Sequence, residues 1–162
     1  MEITFDKLSS IRSKYRNKRI VFRGGCFDLL HEGHVDAIRI SKSLGDILVV
    51  GISSDARVSW RKGKSRPVKS ESTRLAAICA MKSVDYAFVM PTLQEGAVSS
   101  AQQALETLLP DVIADGDENR VLWQDMLDRI RELGIELVFD NTSKINSTTH
   151  ILDRWLERTG RS

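Results

Sequence analysis

The chain has 162 residues, 41% hydrophobic and 28% charged, which is the composition of one soluble globular domain. That length buries roughly 70% of the unfolded surface. Its 24 basic and 22 acidic residues leave a net charge of +2, which argues against nucleic acid as a partner. No run approaches the ~18 apolar residues of a membrane helix, and the first residues carry neither the basic start nor the apolar core of a signal peptide. Two cysteines, Cys26 and Cys79, are too few for a disulfide framework, so reduced thiols in a cytoplasmic protein are expected.

In chain order, residues 5–16 read as a lead-in helix within a single domain of residues 1–162, with Leu8, Ile11 and Tyr15 on one face. Residues 19–23 read as a buried parallel strand, followed by a glycine turn and a helix over about 33–44 that ends at Gly45. Residues 46–53 form a second apolar strand, and Ser54 and Asp55 cap a short helix ending near Trp60. A basic loop runs to Pro67. A helix over about 71–82 follows, placing Leu75, Ile78, Cys79 and Lys82 on one stripe.

The third strand is expected at 84–89, a helix at 97–109 stopped by Pro110, and a fourth strand at 111–114. A helix over about 119–133 aligns Leu122, Met126, Ile130 and Leu133, and Gly134 terminates it. Residues 135–139 form the fifth strand, and a last helix starts near Ser147 with Leu152, Trp155 and Leu156. This alternation predicts an α/β, Rossmann-like, doubly wound fold: a five-stranded parallel sheet with helices on both faces. Ligands of such sheets bind beyond the C-terminal strand ends. Four polar segments converge there: 24–34, 54–70, 115–118 and 141–149. Trp123 serves either the core or a dimer interface, so a homodimer is one expectation.

Charge is concentrated in one segment. Residues 57–74 hold seven basic groups against Glu71, a local +6, so the remaining residues sum to −4 against the whole chain's +2. A basic loop on a mildly acidic body suits a small polyanion better than a duplex.

The turn Gly24-Gly25-Cys26-Phe27-Asp28-Leu29-Leu30-His31-Glu32-Gly33-His34 follows a buried strand and opens a helix. Such a turn presents bare backbone N–H groups and a helix N-terminus to an anion, with imidazoles close by. It is neither a GxxxxGK[ST] loop nor a GxGxxG fingerprint, and no Gly-x-Ser-x-Gly elbow occurs in the chain. Cys26, Asp28, His31 and His34 are metal-capable types. Zinc is the rival reading, though no companion cluster of Cys or His accompanies them. Two histidines that merely flank a helix start are the bland alternative.

Residues 26–34 resemble the signature of the cytidylyltransferase-like nucleotidyltransferases, whose HxGH motif (here His31, Gly33, His34) contacts the phosphates of a bound NTP. The resemblance runs over about residues 19–155. Residues 61–68 with Arg74 are similar to heptose-1-phosphate adenylyltransferases in particular, and glycerol-3-phosphate cytidylyltransferases are the next pattern. Ser147-Thr148-Thr149 resembles the family's second motif. That motif is commonly Arg-Thr-x-Gly-Ile-Ser-Thr-Thr, whereas this chain reads Thr142-Ser143-Lys144-Ile145-Asn146-Ser147-Thr148-Thr149, without the arginine and the glycine. Lys144 could supply the charge but not a planar fork.

The resemblance implies transfer of NMP from ATP or CTP to a phosphorylated sugar or polyol. Pyrophosphate leaves by in-line attack without a covalent intermediate, and Mg²⁺ accompanies the NTP. It implies His31 and His34 as donors near the reacting phosphorus, with Lys62 and Lys64 swinging over the pyrophosphate. Arg74 is expected on a substrate phosphate, or else as a solvated helix arginine; the role of Lys82 stays open. Backbone around Gly24, Gly25, Cys26 and Phe27 is expected to face the nucleotide, and Asp28 either orients the turn or caps the helix. Asp117 is expected at the nucleotide end of the site, or as a turn-former. Ser147, Thr148 and Thr149 would offer hydroxyls and backbone donors to the outer phosphates. A nucleotide-binding regulatory protein without catalysis is the alternative, supported by the altered second motif.

Overall fold

The computed structural model describes residues 1–92, 100–116, 124–140, 154–155 and 157–158. Five short apolar runs extend into strands: β1 (Ile20–Gly25), β2 (Ile47–Ser53), β3 (Tyr86–Met90), β4 (Val112–Gly116) and β5 (Glu136–Asp140). They form one parallel sheet in the order β3-β2-β1-β4-β5. The register runs from Ile20 opposite Ile47 to Gly25 opposite Ile52 on one side of β1, and sets Val21 opposite Val112 on the other. The chain winds outward from β1 to β3, then crosses back to β4. The winding direction therefore reverses between β1 and β4, and the crevice beyond their C-terminal ends is the ligand position of this architecture.

Strand alternation sorts the core into two layers. Ile20, Phe22, Val49, Phe88 and Ile113 face one side, where they pack with Leu8 and Ile11 of α1 (Leu8–Lys14) and Leu105 and Leu108 of α5 (Ser100–Leu108). Val21, Leu48, Val50, Val112 and Ala114 face the other, against Ile38 of α2 (Glu32–Ser43) and Leu75 and Ile78 of α4 (Glu71–Cys79). Helix α3 (Asp55–Lys62) follows β2, and α6 (Leu127–Glu132) precedes β5. The edge of β3 is covered by the chain's first residues: Ile3 N–H donates to Ala87 O at 2.9 Å and Ala87 N–H to Met1 O at 3.0 Å.

Several element boundaries differ from the periodicity reading. Helix α4 stops at Cys79 because the chain turns back at once, Met81 N–H reaching Ile78 O and Val84 N–H reaching Met81 O. Lys82 is therefore exposed in that turn and off the buried stripe of Leu75 and Ile78. Helix α3 extends two residues past Trp60 to Lys62, and Gly63 then takes φ = +94°, a conformation open to glycine at little steric cost. Of the stripe before Gly134, Met126 and Ile130 are buried; Leu122 and Trp123 lie outside the described residues. Among the described residues no helix is long and apolar enough to cross a membrane.

Candidate nucleotide site at the end of β1

Gly24 and Gly25 end β1, and the chain doubles back so that Phe27, at φ = +50° and 3% exposed, lies over Gly25. A Cβ on Gly25 would sit 2.5 Å from Cε2 of Phe27, so only glycine fits beneath that ring. Gly24 is different: its nearest neighbour across a built Cβ is the Phe22 ring at 3.7 Å, ordinary contact. Packing within the protein requires one glycine of the pair.

His31 occupies the N-cap position of α2. Its carbonyl accepts from His34 N–H at 2.9 Å and Val35 N–H at 3.3 Å, while its side chain makes no capping bond. The two imidazoles stack with centroids 3.9 Å apart and planes at 32°, and Phe27 meets the His34 ring at 5.4 Å. Nδ1 of each histidine is buried without a hydrogen-bond partner. Burial pushes the His34 imidazolium down to about 4, helped by neighbouring His31, Arg23 and Lys62; a backbone hydrogen bond with Leu29 works the other way. Burial likewise lowers His31, against the pull of Glu32. Both rings are neutral near pH 7, each with one N–H and one lone pair, and the N–H of His34 is engaged by the Leu29 backbone.

Cations surround this turn. The Cys26 thiol is pushed up by burial, while the charges of Lys62, Arg74 and Arg66 draw it down and Asp28 adds to the rise. Arg23, 5% exposed on β1, pairs beneath α2 with Asp140 at the end of β5. It also donates to Ser41 Oγ at 3.0 Å. Lys62 and Lys64 are exposed, at the end of α3 and in the loop beyond it; the charge of Lys62 reaches both His34 and Cys26.

Two expected ligand residues have partners within the protein. Arg74 is 1% exposed, so the reading of it as a solvated helix arginine is corrected. Its guanidinium donates to Cys26 O, to Ser53 O at 2.7 Å, to Asp55 Oδ1 at 2.8 Å and to Lys69 O at 3.0 Å. Four of its five N–H donors are thereby taken by protein, so Arg74 brackets the turn after β1, β2, α3 and the basic loop.

Asp28, 4% exposed, does not cap α2. Its Oδ1 accepts from Val68 N–H at 2.8 Å and Lys69 N–H at 3.0 Å, and its Oδ2 from Arg66 Nε at 2.7 Å. Burial would raise this carboxyl; the bonds from Lys69, Val68 and Arg66 outweigh it and hold the group below the usual carboxylate range. So Asp28 does orient something, but it is the basic loop.

Nothing in the sequence marks Arg66 and Arg23. An arginine in a basic loop and one in an apolar strand give no local sign of their partners, which lie 38 and 117 positions away. Asp117, Ser147, Thr148 and Thr149 lie outside the described residues. The strands that lead to them, β4 and β5, end at the same edge of the sheet as β1. Among the described residues, no group of three or more His, Cys, Asp or Glu is placed to hold a metal ion.

A solved structure titled lipopolysaccharide core biosynthesis protein, from Thermoplasma volcanium, superposes with a TM-score of 0.63 at 30% identity, covering 78% of this chain and 98% of that one. Pantoate-beta-alanine ligase from Francisella tularensis, at 16% identity, shares the fold, with a TM-score of 0.62 over 86% of this chain and 67% of its own. The bifunctional protein HldE of Syntrophotalea carbinolica is 34% identical over 146 residues, 88% of this chain. HldE of Campylobacter jejuni (serotype O:2) is 37% identical over 135 residues, 82% of this chain. The chain spans about 28% of the length of each of these two curated relatives. Residues 22–152 match the family described as cytidylyltransferase-like. With the fold, the HxGH turn and that match in agreement, the chain belongs to the cytidylyltransferase-like family of nucleotidyltransferases.

Proposed function

We propose that this domain transfers a nucleotidyl group from an NTP to the phosphate of a small phosphorylated sugar, with release of pyrophosphate. The observation that carries the reading is the stacked His31–His34 pair. Its buried Nδ1 atoms lack partners, and it sits at the opening of α2 among the charges of Arg23 and Lys62. A helix N-terminus beside converging cations fits a polyphosphate. The likeness to the lipopolysaccharide core biosynthesis protein of Thermoplasma volcanium supports a sugar acceptor over a polyol, since such a core is built of sugars. ATP is preferred to CTP because the 61–68 segment is similar to heptose-1-phosphate adenylyltransferases.

In the reaction, an oxygen of the acceptor phosphate attacks the α-phosphorus in line. The new P–O bond forms as the bond from the α-phosphorus to the bridging oxygen breaks, and its electrons leave with pyrophosphate. A phosphate monoester is already nucleophilic, so the protein needs no base. Its contribution is alignment, worth up to ~7–11 kcal/mol, and donors aimed at developing charge, worth ~3–4 kcal/mol each. In this reading His31 and His34 donate to the α-phosphate and the bridging oxygen through their unpartnered Nδ1 atoms, His34 as the imidazolium that a bound polyphosphate favours, since its other N–H is engaged with Leu29. Lys62 and Lys64 neutralise the leaving pyrophosphate, and Gly24 to Phe27 line the nucleotide. The resemblance adds Asp117, Ser147, Thr148 and Thr149 as further nucleotide ligands. Asp28, whose two oxygens accept from Arg66, Val68 and Lys69, is committed to the loop, and Mg²⁺ arriving with the NTP would supply neutralisation of phosphate charge.

The test is pyrophosphate release from ATP and from CTP, each with Mg²⁺, against a panel containing heptose 1-phosphate, other sugar phosphates and glycerol 3-phosphate. Turnover with one sugar phosphate is expected. Tight NTP binding with no release across the panel would instead identify a nucleotide-sensing protein.

A further inference from the structure

Among the described side chains, three buried polar atoms lack a hydrogen-bond partner: Nδ1 of His31, Nδ1 of His34 and Nη2 of Arg66. All three belong to the glycine turn and the loop that Asp28 holds against it. The histidines already have a role in the reading above. Arg66 does not.

The Arg66 side chain is 10% exposed, and its Nε is committed to Asp28 at 2.7 Å. Its charge reaches Cys26 in the middle of the turn. A guanidinium nitrogen that is buried and unpaired is costly, and native structures rarely leave one without reason. The group is also unusually well fixed. Arg66 N–H donates to Gly63 O at 3.0 Å, Val68 and Lys69 donate to Asp28 on the following side, and Arg74 Nε secures Lys69 O at 3.0 Å. A planar fork with one arm on a carboxylate and one arm unpaired, held in a cationic turn, matches an incoming phosphate oxygen.

We infer that Arg66 is a phosphate-binding residue of this site and Asp28 its positioning residue: Asp28 fixes Nε, and Nη2 is left to donate to a phosphate oxygen of the nucleotide or of the acceptor. The inference rests on the nucleotidyltransferase reading. It assigns Asp28 no contact with substrate.

The test compares wild type with R66K, R66Q and D28N. R66K keeps a charge facing Asp28 but has no second nitrogen. D28N keeps an oxygen for the Val68 and Lys69 amides while turning a donor toward Arg66. Affinities are measured by calorimetry for magnesium–ATP, for heptose 1-phosphate and for inorganic phosphate as the minimal acceptor probe. Steady-state kcat and KM and the thermal midpoint are measured alongside.

R66K and R66Q are each expected to weaken one substrate about tenfold or more, the size of a lost charge-assisted bond, and to leave the other within about twofold. The substrate that moves identifies the phosphate. D28N should weaken the same substrate, with R66K unfolding close to wild type. If R66Q does not fold, R66K decides. Unchanged affinities in folded variants would overturn the inference and leave the proposed function standing. So would a uniform decline of kcat and both affinities in step with the thermal midpoint, which would mark a brace. A wild-type protein that binds none of the probes would overturn both.

Discussion

The rings of His31 and His34 stack 3.9 Å apart at the start of α2, and burial holds both below the ordinary histidine range, His34 at about 4. A folded-state value below the unfolded ~6.5 means the unfolded chain takes up the proton first as pH falls. His34 therefore contributes stability that is complete above about pH 6.5 and is lost between about 6.5 and 4, by about 3 kcal/mol at most. Denaturation midpoints across that range should fall for wild type and fall less steeply for His34→Ala. NMR titration of the His34 ring should also show its value rising when an NTP binds, since an anion favours the charged imidazole.

His34→Ala should lower turnover a hundredfold or more at saturating NTP, about the loss of one well-aimed donor to developing charge. Pyrophosphate release on a variant with wild-type circular dichroism is the measurement. Near-normal rates would take the histidine out of its assigned role.

Arg74 presents the opposite case. Removing its guanidinium strands Cys26 O, Ser53 O, Asp55 and Lys69 O together. Arg74→Ala should destabilise by about 3–5 kcal/mol, and Arg74→Lys should not restore it, because an ammonium cannot span four acceptors. Thermal unfolding decides: an unshifted midpoint with lost activity would mean that Arg74 serves the ligand instead of the fold.

The paired glycines separate packing from function. Gly25→Ala sets a methyl against the buried Phe27 ring and should destabilise by about 1–3 kcal/mol. Gly24→Ala meets only ordinary contacts and should leave the urea midpoint close to wild type. Loss of nucleotide binding in Gly24→Ala with stability intact would show that the backbone there is kept bare for the ligand.

The sequence by itself determined the alternation of five strands with helices, the glycine- and histidine-bearing turn after β1 and the position of the basic segment. These are local properties. Two-fold alternation of Ile20, Val21 and Phe22, the glycine after α3 and serine caps such as Ser54 each act within a few neighbours. What only the tertiary structure decided is which charged groups are spent within the protein. Asp28 meets Arg66 across 38 positions, Arg74 meets Cys26 across 48, and Arg23 meets Asp140 across 117. Those pairings follow from the order of strands in the sheet, which brings the ends of β1, β2, β4 and β5 to one edge. A carboxylate or guanidinium reads the same in sequence whether it faces a ligand or a buried partner; only the distance across the folded edge separates the two.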